Sequence, residues 1–361
     1  MNTTFEPNFA VPPGETLAET LETLGMTQAE LAERMGRPLK TINEIVAGKA
    51  AITSDTALQL EKVLGVPASF WTNHERIYRD TLASHRETDE LEQQIGWLKT
   101  MPVRELIRAG WMVKADKPVA QLRILLSFFG VAGVDEWRAL WESPDAIFRK
   151  SPAFTANRPA TAAWLRQGEL EAQKIECASF DEARFTEALE QLRGFTAKDP
   201  EEFVPALHER CASAGVAVAI VPPLPGVRAY GATRWLHSTK ALVQLSLRGK
   251  TDDHLWFTFF HEAGHVLKHG KRAVFVEDGD KTAAARDPRE AEADAFACNL
   301  LIPPREYEHF CANGDFSVAA IRRFAGRIGI APGIVAGRFQ HERKVPFSRG
   351  NQLKRRFGFS E

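Results

Sequence analysis

Apolar positions in the first eighty residues recur every three or four places, in short runs cut by glycine. Leu17, Leu21 and Leu24 share one face of a predicted helix over residues 16–24, and Gly25 ends it. Thr27, with Glu30 three residues later, has the form of a capping box for a second helix over 27–35. Gly36 supplies a turn, and Pro38 opens a third helix through Val46. Two short helices around a Gly-containing turn form the helix-turn-helix pattern, whose second helix enters the major groove. Ile42, Ile45 and Val46 make its buried face, opposite Arg37, Lys40, Thr41, Asn43 and Glu44. Lys40, Thr41 and Asn43 are suited to bases or phosphates, Arg37 shares their face, and Lys49 is placed to reach a phosphate. A further helix is predicted over 54–64, and another follows through Tyr78.

Residues 81–200 read as mainly helical, without a catalytic constellation. Leu122, Leu125, Leu126 and Phe129 make one stripe, ended by Gly130. Trp137, Trp141 and Phe148 make another, with Ser143-Pro144 as a break. Ala162-Ala163-Trp164-Leu165 leads to Gly168, and a helix over 181–195 carries Phe185, Leu189 and Leu192. Residues 79–92 are the most polar stretch and are expected as a linker.

Beyond residue 200 the period changes. A helix over 203–214 precedes a continuous apolar run at 215–221, stopped by Pro222-Pro223, and two more strands are expected over 229–236 and 241–247. Residues 231–235 are the candidate edge for pairing with an extended peptide. Helical pattern resumes over 256–270, with Thr251, Asp252 and Asp253 offering capping oxygens before it and Gly270 as a stop. The result is an α+β region behind an all-α N-terminal domain. Helices continue to about residue 338.

The chain has 361 residues, enough for more than one core, and its formal net charge of −1 gives no polyanion-binding signature. The first eighty residues hold seven Lys or Arg against eleven Asp or Glu, a net charge of −4. DNA binding there requires local placement of cations, with dimerisation expected. Cys177, Cys211, Cys298 and Cys311 form no CxxC pair, as in a reducing compartment. The N-terminus shows no signal-peptide pattern and no apolar run approaches the ~20 residues of a span, so a cytoplasmic protein without membrane contact is expected. Residues 343–356 carry six Lys or Arg and no acid. They are expected as a solvated basic tail, with DNA phosphate contact as the alternative.

The run His261-Glu262-Ala263-Gly264-His265 is an HExxH motif on a helix. Its imidazoles, four residues apart, project from one face as two ligands of a tetrahedral zinc, with Glu262 beside them to take a proton from activated water. A structural zinc would want four protein ligands, usually with cysteines, and none lies near in sequence. His269 lies eight residues after His261, about 12 Å along the axis, too far to share the ion, and is expected to pack or cap at the helix end. The third ligand is sought after Pro288. Glu290 is one candidate, with Asp294 one turn on to hold the far nitrogen of a ligand His. Glu292 is the rival, on a different face. Tyr230 and His237 are candidates for stabilising an oxyanion.

Two resemblances sharpen this reading. Residues 26–49, continued by Ala51-Ile52-Thr53-Ser54 and Phe70-Trp71, resemble the Xre-type helix-turn-helix of HigA antitoxins, with Pro38 departing from the Ser common there. The His-Glu-Ala-Gly-His run, then 290–296, then Asn299-Leu300-Leu301-Ile302-Pro303, resembles the ImmA/IrrE family of metallo-endopeptidases. Phe128-Phe129-Gly130-Val131 and 164–170 look like members that fuse the two. This second resemblance implies a zincin-like, gluzincin-type domain with His261, His265 and Glu290 as zinc ligands and Glu262 as base. It also implies a substrate that is a repressor or a toxin–antitoxin component. The expected organisation is multidomain and mainly α. It comprises a helix-turn-helix domain at 1–80, a helical connection at 81–200, a peptidase domain at 201–342 and a basic tail at 343–361. The expected function is a DNA-bound regulator with a zinc endopeptidase, dimeric on its operator. The alternative is a HigA-like antitoxin or repressor whose peptidase domain senses or binds without cleaving.

Overall fold

The computed structural model describes residues 10–142, 157–271, 275–277 and 287–358. The chain divides into two compact units, Met1–Ile95 and Gly96–Glu361. The expected contributions of Ser143, Pro144 and Phe148 lie outside the described residues.

In the first unit, α1 (Pro13–Thr23), α2 (Gln28–Met35), α3 (Leu39–Val46), α4 (Ser54–Leu64) and α5 (Ala68–Gln94) follow in order. The capping box forms: Thr27 N–H donates to Glu30 Oε2 at 2.8 Å and Glu30 N–H donates to Thr27 Oγ1 at 3.1 Å. Gly36 then turns the chain with φ 63° and ψ 33°, a conformation that a side chain would strain. Leu17, Leu21, Leu31, Ile42, Ile45, Leu60 and Trp71 close the core. Leu24 is not part of it, because α1 stops at Thr23 and Leu24 is its C-cap, 52% exposed.

The expected linker at 79–92 is instead the second half of α5. No glycine or proline interrupts Ala68–Gln94. One-turn ion pairs, Arg79–Glu75 at 2.7 Å and Arg76–Asp80 at 3.0 Å, suit a helix that is polar on most faces.

The second unit opens with α6 (Val103–Arg108), α7 (Pro118–Phe129), α8 (Val134–Trp141), α9 (Arg158–Lys174), α10 (Glu182–Phe195) and α11 (Pro200–Ser213). By composition, residues Pro118–Trp141 are apolar enough for a membrane span. They are two helices of 12 and 8 residues, parted after Gly130, so neither reaches the ~30 Å of a hydrocarbon core. Their stripes, Leu122, Leu125, Leu126, Phe129, Trp137 and Trp141, are buried. Gly168 does not end its helix. It lies mid-α9, where a Cβ would run into the Gln244 amide.

A four-stranded sheet follows, ordered β1-β3-β2-β4, from β1 (Val216–Ile220), β2 (Gly231–His237), β3 (Lys240–Leu245) and β4 (Phe275–Glu277). β1 and β3 are parallel; the other pairings are antiparallel. Between β3 and β4 in sequence runs α12 (Asp252–Lys268), and α13 (Pro288–Leu301), α14 (Pro304–Ala312), α15 (Val318–Ile328) and α16 (Pro332–His341) complete the unit. The expectation that residues 231–235 form an open edge fails at its first three residues, while Arg234 and Trp235 pair with β3 alone among the described residues. Gly231, Ala232 and Thr233 pair with β3 on one side and β4 on the other. The short β4 had no alternating pattern to betray it.

Nor are residues 343–358 a free tail. Val345 and Leu353 are buried. Lys354 Nζ lies 2.6 Å from Asp253 Oδ2, and the Arg355 guanidinium donates to the carbonyls of Thr196, Ala197 and Lys198. The backbone of the same segment bonds both ways with α12, Asp252 N–H to Arg355 O at 2.9 Å and Arg355 N–H to Asp252 Oδ1 at 3.1 Å. Positive charge that looked solvated is spent on two buried acids in the first turn of α12. Asp252 Oδ1 still accepts the Asp253 N–H at 3.0 Å, whereas the side chain of the N-cap residue, Thr251, makes no capping bond.

Candidate metal centre

The helix α12 is apolar on most of its surface: Trp256, Phe259, Phe260, Ala263 and Val266 are buried in the unit's main core. This buries the motif too, leaving His261 2% exposed, His265 1% and Glu262 none. Gly264 decides how close a second helix can come. A Cβ there would stand 3.1 Å from Phe296 Cδ1 and 3.2 Å from Ala293 Cα. Across this gap α13 packs through buried Ala293 and Ala297, and its first turns bring Glu290 and Asp294 to the imidazoles.

Three donor atoms converge. His261 Nε2 is 3.1 Å from Glu290 Oε2, His265 Nε2 is 3.0 Å from His261 Nε2, and His265 Nε2 is 3.5 Å from Glu290 Oε2. Zinc bonds of about 2.0–2.2 Å at tetrahedral angles place neighbouring donors about 3.3–3.6 Å apart. The observed triangle lies within a few tenths of an ångström of that. Two imidazole nitrogens this close also need a proton or a cation between them. On the far side of His261, Nδ1 is 2.9 Å from Asp294 Oδ1, which fixes the ring and leaves Nε2 as the inward lone pair. The donor set fits a zinc ion.

The electrostatics agree. Burial pulls the His261 pKa down, but Glu277, Asp294, Glu290 and Glu262 overcome it and hold that imidazole well above its usual range. Four carboxylates around one ring make a pocket that favours positive charge. Burial lowers His265 to about 4. Glu290 is held well below the carboxylate range: burial raises it, but the two imidazoles outweigh burial.

Glu262 lies under β2. Its Oε2 is 2.5 Å from the Thr233 hydroxyl, which also sits 3.0 Å from the Glu262 carbonyl oxygen. Its Oε1 is buried without a hydrogen-bond partner. Complete burial pushes its pKa well up; His261 and Thr233 oppose this, and Glu277 and Glu290 reinforce it. Gly231 makes the arrangement possible, since a Cβ there would come 2.6 Å from Thr258 Cγ2 and 2.7 Å from Glu262 Oε1.

Thr233 and Glu277 were not anticipated. Glu277 ends β4, bonds to Thr258, and brings a carboxylate oxygen within 4.8 Å of donor atoms of His261 and Glu262. The only signal for it was a short apolar run, 274–276, just before it. Of the oxyanion candidates, His237 lies at the opposite end of β2 from Gly231, about 20 Å away at ~3.3 Å per residue. Tyr230 stacks on His254, with ring centroids 5.6 Å apart. The rival ligand Glu292 points elsewhere: its Oε2 is 3.2 Å from His269 Nε2.

In the first unit, Lys40, Asn43 and Lys49 are exposed and Thr41 is half-buried, while Ile42 and Ile45 are buried beneath them. Arg37 Nε donates to Gln59 Oε1 at 2.5 Å, tying that guanidinium to α4. Lys40 sits 3.8 Å from Glu44, an exposed pair that holds it weakly.

Residues 17–71 match the helix-turn-helix family, and residues 229–338 match the IrrE N-terminal-like domain of the M78 peptidases. Virulence-associated protein I of Dichelobacter nodosus is 39% identical over 70 residues, 19% of this chain and 65% of the relative. Virulence-associated protein A of the same organism is 33% identical over 88 residues, 24% of this chain and 82% of the relative. An uncharacterised HTH-type transcriptional regulator of Escherichia coli is 33% identical over 61 residues, 17% of this chain and 65% of the relative. This chain thus spans just under two thirds of the first and third relatives and 82% of the second. Among solved structures, a HigA-family antidote protein of Coxiella burnetii is 34% identical, covering 23% of this chain and 92% of that one, with a TM-score of 0.22. The Pseudomonas aeruginosa antitoxin HigA, solved with the higBA promoter, is 28% identical, covering 24% and 94%, with a TM-score of 0.23.

Proposed function

The chain belongs to the Xre-type helix-turn-helix family and carries an ImmA/IrrE-type peptidase domain, and from that premise we propose a transcriptional regulator that cleaves a regulatory protein with zinc. The substrate class is a repressor or a toxin–antitoxin component. One observation carries the reading: a triangle of donors from His261, His265 and Glu290, sized for zinc, with a carboxylate one residue from the first donor.

His261, His265 and Glu290 would hold the ion, which when bound supplies Lewis acidity, polarising a carbonyl and bringing the pKa of water to about 7. Glu262 takes the proton of the attacking water and delivers it to the leaving amine. Thr233 keeps the carboxylate in place, Gly231 leaves it room, and Asp294 keeps His261 in the tautomer with an inward lone pair. Glu262→Gln is expected to keep its zinc and lose about 10²–10⁴-fold in cleavage. Metal analysis beside a proteome comparison of wild type and variant tests this; a variant that cleaves at the wild-type rate removes Glu262 from the reaction.

DNA recognition belongs to α3, with Lys40, Thr41 and Asn43 facing the major groove and Arg37 and Lys49 near the backbone. Because the first eighty residues carry −4 net charge, operator binding calls for a homodimer that sums two small cationic faces. A gel shift on the chain's own promoter, run across a salt series, reads this. Lys49→Ala should weaken binding evenly across sequences and reduce the salt slope by about 0.9 for each of the dimer's two copies, about 1.8 in all. The four cysteines are all free, in keeping with a cytoplasmic protein.

The complete burial of Glu262 favours a second reading, a metal sensor or partner-binding module that does not hydrolyse. Zinc-loaded protein that binds its promoter and leaves the proteome of the Glu262→Gln strain unchanged would select it.

A further inference from the structure

The two imidazoles of the motif are held from behind in different ways. Asp294 takes the outward nitrogen of His261 directly. The outward nitrogen of His265 faces another imidazole: its Nδ1 is 2.9 Å from Nδ1 of His269, whose Nε2 is 3.2 Å from Glu292 Oε2. His269 is the C-cap of α12 and adopts an extended backbone, φ −119° and ψ 152°, so it leaves the helix and its ring turns back along the helix end. The ring is well enclosed, its side chain 5% exposed, and shares the Phe275 ring with His265, at centroid distances of 5.2 and 3.8 Å. Glu292, 63% exposed at its side chain, brings the chain of contacts to the surface.

Donor and acceptor arithmetic orders the protons. A neutral imidazole has one N–H and one lone pair. For His265 to present a lone pair at Nε2, its Nδ1 must carry the proton and donate to Nδ1 of His269. His269 must then carry its own proton on Nε2, where Glu292 accepts it. The opposite order would put a proton on His265 Nε2, pointed at His261 Nε2 3.0 Å away, in the space a cation would need. We propose that His269 and Glu292 are positioning residues, a two-step relay that fixes the tautomer and direction of His265 as Asp294 fixes His261. This rests on the metal reading of the His261–His265–Glu290 triangle. It gives Glu292 and His269 a joint role that neither has as a ligand.

The test is zinc affinity of the full-length protein, by competition with a chromogenic chelator, and the visible spectrum of the cobalt form. His269→Leu should raise the zinc Kd about 10–100-fold and shift the cobalt bands, the range seen for partners of ligand histidines. His269→Asn should stay near wild type, because its Oδ1 stands where Nδ1 stood and accepts the same bond. Glu292→Ala should weaken zinc less, and should add nothing in the His269→Leu background, since it acts only through that ring. Asp294→Ala, acting on the other imidazole, should add fully to His269→Leu. Wild-type affinity in His269→Leu would overturn the relay, as would an Asn variant as weak as the Leu variant, or an undiminished effect of Glu292→Ala when His269 is gone. If His269→Leu fails to fold, the comparison of His269→Asn with Glu292→Ala decides alone: relay loss in the second and not in the first supports it, and any other pattern overturns it. A wild-type chain that takes up no zinc would instead overturn the metal reading beneath it.

Discussion

The two regions that carry chemistry are built on opposite plans. In the helix-turn-helix unit the side chains proposed to meet DNA sit on the outside of one eight-residue helix and just beyond its two ends, and the core of Leu17, Leu31, Ile42 and Trp71 lies behind it. In the metal centre, core and chemistry coincide. His261, Glu262 and His265 are buried in the same helix turns as Phe259, Phe260 and Ala263, and their partners arrive from β2, β4 and α13. A surface site can change one contact at a time. A buried one couples every donor to packing, because an interior at near-crystalline density passes small shifts along.

The largest effect expected follows directly. His265→Ala removes one of three donors and should weaken zinc by more than the ~10–100-fold typical of a ligand's hydrogen-bond partner. Asn43→Ala should leave zinc binding and melting unchanged and weaken the operator complex by about 1–3 kcal/mol. Chelator competition and gel shifts on both variants check this. Loss of zinc in the Asn43 variant would break the separation of the two sites.

Core truncation gives the next contrast. Phe259 and Trp71 are both fully buried, and each change to Ala should cost about 3–5 kcal/mol. Phe259→Ala should also weaken zinc, since Phe259 is two residues from His261 on the same helix. Trp71→Ala should destabilise its own unit and leave zinc affinity at the wild-type value. Urea unfolding followed with zinc competition separates the outcomes; equal zinc affinity in both variants would mean that packing and ligand placement are not coupled.

This difference also sets how much could be read in advance. The bundle is local: a capping box, a Gly turn and a three-to-four spacing are decided within a few residues, and α1 to α4 follow them. Within the metal centre, HExxH and the Glu290–Asp294 turn were legible because each is itself a helical spacing. What escaped had no local signal. Thr233 and Gly231 matter only because β2 crosses above Glu262, and Glu277 only because a three-residue strand pairs with β2. Likewise, polarity alone made Arg79 look like the start of a linker and Lys354 and Arg355 like a tail, when the partner of the first, Glu75, lies one turn away and those of the other two about a hundred residues away.

The starts of α2 and α12 sharpen the comparison further, because one is open to solvent and the other is buried. Burial raises the Asp252 pKa from 3.8 to about 6; Asp253 adds to this, while Arg355 and two backbone N–H groups oppose it. A carboxyl whose folded pKa is raised binds its proton more tightly in the folded state. Its contribution is therefore complete below pH ~4 and is lost as pH rises through about 6. Roughly two pKa units correspond to at most about 3 kcal/mol. Urea unfolding of wild type and Asp252→Asn at pH 4 and pH 7 should show wild type losing more stability on going up, by up to that amount. A difference of the opposite sign would mean that Arg355 holds Asp252 ionised throughout.

The smallest effect belongs to the open start. Thr27 and Glu30 satisfy each other's backbone N–H groups at the surface, with no buried charge involved. Thr27→Ala should therefore cost about 1 kcal/mol, the usual loss on removing a helix cap. Because α2 packs beside α3, fraying at its first turn should lower operator affinity slightly as well, without altering the salt slope, since no cation is removed. Thr27→Ser should restore both, its hydroxyl accepting the same N–H bond. If Thr27→Ala leaves urea unfolding of the first unit unmoved, the box is ornamental and the turn at Gly36 carries the geometry of the pair. If it abolishes operator binding outright, α2 reaches the DNA itself, and the assignment of recognition to α3 has to be redrawn.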